Sequence, residues 1–310
     1  MENNINEKAS AFESLYMNIM QTKATIIDPK ILIGEMARAS GKTEGVFGPR
    51  MIRVASDMPG ELSFIIHKTY VALLSNIIPN LRAFFNKPVG AEGKPLMEEG
   101  VHYVIGAANL PAHFAKPRRP ITYPKHSMVM YTGHHFQLVS SDQPESMAGE
   151  SGVHAFIEEM KHNKGEKLKS RIFPGLRGAK GMIRESPYYA GITGVSDTAR
   201  VDLGEDDWFT EYENNVDENL INDIVNTALH VNKAMVQKVK LESSLSQIRD
   251  PEKRLSAKRK INKANRIVEF WNPILRQQRK AATYYMKAST FVNKDFLGTQ
   301  FFKTQFESLT

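Results

Sequence analysis

The tripeptide Gly41-Lys42-Thr43 lies between a short apolar run, KILIG at residues 30–34, and GKTEGVFGPRMIRVASDM, where apolar residues recur at helical spacing. Strand, glycine-containing loop and helix in direct succession commit this part of the chain to an α/β unit, because the helix must fold back over a sheet. The same order then repeats. LSFIIH (62–67) has the length and composition of a buried strand, and VALLSNIIPNLRAFF continues as a helical pattern that Pro79 bends. This βαβα rhythm predicts an α/β fold with a mainly parallel central sheet flanked by helices.

Residues 86–126 are rich in Pro, Gly and Lys and read as an excursion with little regular structure. Beyond them SMVMY and HFQLVS flank Thr132-Gly133-His134 as a β-hairpin, and VHAFI (153–157) reads as another buried strand. A glycine-rich stretch at 174–181 precedes YYAGITGV, the last strand candidate. From residue 216 the pattern changes to two long helical segments, DENLINDIVNTALHVNKAMVQKVKLESSL and PEKRLSAKRKINKANRIVEFW. The expected organisation is an α/β core at 1–215 and a mostly helical C-terminal lobe at 216–310.

The 310 residues, 41% of them apolar, suffice for a substantial core. With no cysteine, the chain offers neither disulfides nor thiolate nucleophiles, so chemistry must rest on oxygen and nitrogen groups. No apolar run approaches the ~18 residues of a membrane span, and a cytoplasmic location without membrane contact is expected. A net charge of +7 suits an anionic partner, nucleotide or nucleic acid, and equally suits plain solubility. Ten Lys or Arg residues fall between Lys253 and Lys280. Among them Lys258, Arg259, Lys260, Lys263 and Arg266 are candidate contacts for DNA phosphates, with a solvated basic helix face as the alternative.

Ala37-Arg38-Ala39-Ser40-Gly41-Lys42-Thr43 has the context of a phosphate-binding loop, the Walker A element. Backbone N–H groups at a helix start face phosphates, Lys42 supplies a mobile cation for the β and γ phosphates, and the Thr43 hydroxyl is a ligand for Mg²⁺. Met36 stands where the usual pattern has its first glycine, and Arg38 inside the loop is a cation suited to the γ phosphate. A Gly-Lys-Thr turn with no phosphate role is the alternative.

Such a loop needs acids at the end of a neighbouring strand. HAFIEE supplies Glu158 for the Mg²⁺ shell and Glu159 to orient or deprotonate water, the Walker B element. The same residues also fit the start of a solvated helix, EEMKHNKGEK. His134, His135 and His162 lack a third ligand at metal-site spacing.

Taken in order, ARASGKT, the passage MVMYTGHHFQLVSSDQPESMAG, HAFIEE and ITGVSDT resemble the ATPase domain of the large terminase subunit of tailed bacteriophages. The resemblance covers about residues 15–200. It implies ATP and Mg²⁺, with Lys42 and Thr43 on phosphate and metal, Arg38 on the γ phosphate, Glu158 on the metal and Glu159 as catalytic base. It further implies Thr193, Gly194 and Ser196 as a motif coupling hydrolysis to movement. Double-stranded DNA, a portal, a small terminase subunit and a homo-oligomeric ring are the implied partners, with the monomer as the isolated form, in the cytoplasm of a host cell.

Two departures stand out: Glu158 replaces the usual aspartate, and Ala148 replaces the usual arginine before Gly149. An arginine acting in trans must then come from elsewhere, with Arg171, Arg177 and Arg184 as candidates. The segment from Tyr16 to Gln21 is where the family contacts adenine, although a packed amphipathic helix fits these residues better. The acids after Glu213 sit in helical patterns, so no nuclease domain is expected. A helicase-like ATPase and a non-catalytic basic nucleic-acid-binding or assembly protein are the competing readings.

Overall fold

The computed structural model describes residues 17–89, 92–106, 108–143, 149–179 and 181–307; Tyr16 and Ala148 lie outside them. Strands β1 (Ile31–Met36) and β2 (Leu62–His67) carry nearly continuous apolar runs because each is covered on both faces. Successive side chains point to opposite faces. Leu32, Met36 and Ile65 therefore pack with Phe47, Met51, Val54 and Leu81, whereas Ile33, Phe64 and Ile66 pack with Leu168, Ile172 and Phe209.

The other strands are β3 (Tyr103–Ile105), β4 (Ser127–Met130), β5 (His135–Ser140), β6 (His154–Glu158), β7 (Gly191–Ser196) and β8 (Thr283–Ala288). They form one eight-stranded sheet in the order β8-β1-β7-β6-β2-β5-β4-β3. All pairings from β8 to β5 are parallel, and β4 and β3 extend that edge antiparallel. The fold is α/β, a mainly parallel sheet between helices. The hairpin of β4 and β5 turns at residues 131–134, and the excursion after residue 86 holds β3 and one two-residue pairing, Pro88–Val89 with Lys94–Pro95.

Helix α1 (Ile19–Ile27) opens with a capping box, in which the Asn18 side chain accepts from the Gln21 backbone and Gln21 reaches back to Asn18 N. Helix α2 (Gly48–Asp57) is entered through a wide turn at Thr43–Phe47. Helix α3 (Ile78–Phe85) starts after a similar wide turn at Leu73–Ile77, with Pro79 in its first turn, where no N–H is needed.

Helices α4 (Glu218–Ser244) and α5 (Pro251–Ala281) form a long hairpin, each capped by an aspartate, Asp217 and Asp250. The second helical pattern in the sequence ends near Trp271, before Pro273. In the structure α5 continues through Pro273 to Ala281, held against the core by its last basic residues. Arg276 makes a two-pronged pair with Asp57 at 2.6 and 3.0 Å, Arg279 donates to the carbonyls of Ile26 and Ile27 at 2.8 and 3.0 Å, and Lys280 meets Glu185 at 2.9 Å.

Residues 283–288, which the sequence pattern leaves in the helical lobe, form β8 instead. This strand pairs in register with β1, Ile31 beside Thr283 and Met36 beside Ala288, so β7 is not the last strand. The chain then ends its described part in α6 (Lys294–Glu307), broken at Gly298.

Candidate active site

The loop after β1 is clasped from two sides. Asn18 Nδ2 donates to the Ser40 carbonyl at 3.1 Å, and Gln21 Nε2 donates to the carbonyls of Ser40 and Gly41 at 3.2 and 3.0 Å. From the other end of the chain, Thr290 Oγ1 donates to Arg38 O at 2.9 Å and Asn293 Nδ2 to Ala39 O at 2.7 Å. Ala37 N donates to Ala288 O of β8 at 2.8 Å. The clasp occupies loop carbonyls, whereas N–H groups at the start of the following helix have no intrahelical acceptor and leave a partial positive charge facing the cleft.

Two residues of the loop adopt left-handed backbone, Ala39 at φ 58° and Gly41 at φ 79°. Glycine at 41 is required twice over, since a Cβ there would also collide with the Gln21 amide. Ala39 bears the steric cost of αL backbone, held in place by Asn293.

Lys42 and Thr43 meet the two acids expected of the site. Lys42 Nζ lies 3.1 Å from Glu159 Oε1, and Thr43 Oγ1 donates to Glu158 Oε1 at 3.2 Å, contacts across 117 and 115 residues of chain. A further acid joins them, because Lys42 Nζ also binds Asp197 Oδ1. Burial, and then the Glu159 charge beside it, push the Glu158 carboxyl up to about 7, against the opposing pull of Thr43 and Lys42. Glu158 is thus poised between its protonated and ionised forms near neutrality.

Glu158 closes β6, and Glu159 turns out of the sheet in left-handed backbone at φ 48°. That turn is fixed by Asn163, fully buried, whose Nδ2 donates to the Glu158 and Glu159 carbonyls at 3.2 and 2.9 Å while its Oδ1 accepts from Ser141 Oγ at 2.7 Å. Glu159 Oε2 is buried with no hydrogen-bond partner among the described residues. A carboxylate oxygen left in that state is a ready acceptor for a bound water or substrate proton.

Several other residues singled out in the sequence sit differently. The Arg38 side chain is 92% exposed, with its Nε 3.6 Å from Asp197 Oδ2. Thr193 is buried within β7, away from the strand end, where its Oγ1 accepts from Arg50 Nε at 2.6 Å and lies 2.8 Å from His154 Nε2. Gly194 packs under Met160, whose sulfur would collide with any Cβ, and Ser196 Oγ accepts from Lys161 N at 3.1 Å.

Arg50 and Asn163 are not among the residues that the sequence singles out, and Asp197 enters there only inside ITGVSDT, without a role of its own. Arg50 is fully buried on α2 and also pairs with Asp28 at 2.7 Å. Burial works against an ionised Asp28, but Arg53, Arg50 and Arg279 together hold its carboxyl below the ordinary value. An arginine on the apolar face of that helical pattern, with Phe47, Met51 and Val54, is the available signal.

Lys258, Arg259, Lys260, Lys263 and Arg266 are all exposed on α5, and none has a carboxylate within 4 Å among the described residues. Arg171, Arg177 and Arg184 are exposed, Arg184 donating to Ala179 O at 2.8 Å. His134 is buried between Met58 O at 2.7 Å and Ser63 Oγ at 2.9 Å.

Two adjoining clefts flank the loop. One, of about 350 Å³, is bounded by Arg38, Lys42, Thr43, Glu158 and Glu159. The other, of about 260 Å³, is lined by Met17, Gln21, Pro49, Phe84, Asn293 and Leu297, and the two share Ala39, Gly41 and Glu44.

No protein-family model matches the chain, and no curated protein matches it. Among solved structures it is similar to the large terminase ATPase domain of Thermus phage P74-26, at 18% identity and a TM-score of 0.32, covering 59% of this chain and 64% of that one. A single-substitution variant of that domain is similar at 17% identity and a TM-score of 0.34, with the same coverage. The chain therefore spans less than two thirds of the terminase chains it matches.

Proposed function

We propose that this chain is a Mg²⁺-dependent ATPase of the phosphate-loop class, serving as the motor domain of a viral DNA-packaging terminase that couples ATP hydrolysis to translocation of double-stranded DNA. The observation that carries the reading is the meeting of Lys42 and Thr43 with Glu159 and Glu158 beyond the carboxyl ends of parallel strands, the usual ligand position of an open α/β sheet.

Within it, Lys42 and the N–H groups of the loop bind the β and γ phosphates. Thr43 Oγ1 and a Glu158 carboxylate oxygen are the oxygen ligands that would hold the Mg²⁺. There it would supply charge neutralisation to the phosphates and would favour the ionised form of Glu158. Glu159 uses its unpartnered Oε2 to orient the attacking water and to accept its proton as the bond to the γ phosphorus forms. The bond to the β–γ bridging oxygen breaks, and ADP leaves with that oxygen. The second cleft is of a size and polarity to take the nucleobase. Arg38, exposed at the rim of the first cleft, swings onto the γ phosphate.

The exposed cations of α5, from Lys258 to Arg266, supply sequence-independent contacts to DNA phosphates. A ring of copies, a portal, a small terminase subunit and a host cytoplasm rest on the resemblance of the motifs to the family.

The test is Mg²⁺-dependent ATP hydrolysis by wild type, Lys42→Ala and Glu159→Gln, with and without double-stranded DNA, paired with nucleotide binding. The expected pattern is that Glu159→Gln binds ATP without turning it over and Lys42→Ala does neither. A wild-type protein that binds no ATP would sink the proposal.

A further inference from the structure

Asp197 follows directly on β7, in residues 197–200, which carry no regular structure. Because β7 lies between β1 and β6, its end opens between the phosphate loop and the two acids. The Asp197 side chain is 16% exposed and sits among three cations. Its Oδ1 binds Lys42 Nζ, while Oδ2 lies 3.6 Å from Arg38 Nε and 3.9 Å from Lys161 Nζ.

An ammonium has only three N–H donors, and Glu159 and Asp197 already engage Lys42. A triphosphate seated on the same ammonium would face the Asp197 charge at close range, and like charges at a partly buried site repel strongly. Asp197 and the terminal phosphates therefore compete for one cation. Lys161 is a second berth, held close by its own 3.2 Å pair with Glu205. Glu205 in turn accepts from Arg200 N at 2.7 Å, and Asp206 N donates to Lys161 O at 2.9 Å.

We infer that Asp197 is a displaceable counter-ion of the phosphate seat: it neutralises Lys42 until the terminal phosphates of a nucleoside triphosphate claim that ammonium, and then moves its charge to Lys161. It is a positioning residue, not a chemical one. The transfer weakens the claim of Glu205 on Lys161, so occupancy of the phosphate seat is passed to residues 200–206. This inference rests on the phosphate-site reading above.

The experiment is calorimetric titration of wild type, Asp197→Asn and Lys161→Ala with ATP, AMP and inorganic tripolyphosphate in the presence of Mg²⁺. Asp197→Asn should bind ATP and tripolyphosphate about tenfold tighter, the scale of one charge-assisted hydrogen bond, while AMP, which lacks the terminal phosphates, changes by less than about twofold. Lys161→Ala removes the second berth and should weaken ATP severalfold with AMP again unmoved. If wild type binds ATP and Asp197→Asn binds it no tighter, the counter-ion role is overturned and the phosphate site stands. Should neither protein bind ATP or tripolyphosphate, both fall. Lys161→Ala probes the same transfer from the receiving side, independently of how well Asp197→Asn folds, and an ATP affinity equal to that of wild type would overturn it.

Discussion

Arg50 Nε lies 2.6 Å from Thr193 Oγ1, joining the helix that follows the phosphate loop to the strand between β1 and β6, with 143 residues of chain between them. The same hydroxyl lies 2.8 Å from His154 Nε2, so β6, β7 and α2 share one buried polar point. Replacing Thr193 by valine keeps the shape and removes the acceptor, leaving a buried guanidinium N–H unpaired. The expected loss is about 2 kcal/mol of stability, with Thr193→Ser within ~1 kcal/mol of wild type. Urea unfolding measures both, and a valine variant as stable as the serine one would show that the bond contributes nothing.

Asn163 fixes the turn that presents Glu159 without touching the cleft itself. On the ATPase reading proposed above, Asn163→Ala should lower the rate of ATP hydrolysis about 10- to 100-fold through misplacement of Glu159, while ATP affinity stays within ~3-fold. Steady-state kinetics and equilibrium binding separate the two. An equal loss in both would mean that the turn shapes the phosphate seat rather than the base.

Acid should destabilise this protein early. Burial pushes His134 down to about 3 and His135 to about 4 from an ordinary 6.5, and holds His154 well below it. Between those values the unfolded chain binds more protons than the folded one, so stability rises with pH and is lost as pH falls below about 6.5. Glu158, raised to about 7, has the opposite sign, its contribution falling as pH rises from 4.5 to 7, and burial raises Glu61 too, but four histidines, with His67 among them, outweigh two carboxyls. Unfolding free energy measured from pH 4.5 to 6.5 should climb, and His134→Gln should flatten the climb. A flat wild-type profile would contradict the buried neutral histidines.

For the basic helix, the salt dependence is the discriminating quantity. If Lys260, Lys263 and Arg266 each neutralise a DNA phosphate, the triple alanine variant should reduce the slope of log K against log salt by about 3 × 0.9. An unchanged slope would move the DNA face elsewhere on the molecule.

What can be read in the sequence is local. β1, β2 and β6 show themselves as apolar runs because both faces are buried, and the phosphate loop shows itself by lying between strand and helix. β8 does not, because TYYMKA directly follows a 31-residue helix and its partner β1 lies far upstream, so only tertiary pairing makes it a strand. The role of Asp197, present only as one letter of ITGVSDT, and that of Asn163 escape for a related reason. A single acid after a strand and a single asparagine in a charged stretch have no periodicity, and their partners, Lys42 and Ser141, are set by the fold. Arg38 is legible as a residue of the loop, whereas its outward direction is not.

The clasp on the phosphate loop also orders the events of synthesis. Gly41-Lys42-Thr43 leaves the ribosome soon after Asn18 and Gln21, yet the carbonyls of Arg38 and Ala39 find their donors only when Thr290 and Asn293 emerge, 252 and 254 residues further on. A nascent chain therefore displays the Gly-Lys-Thr turn long before the loop that carries it is fully clasped. A loop made early is thus completed late, once β8 and the residues that follow it have joined the sheet.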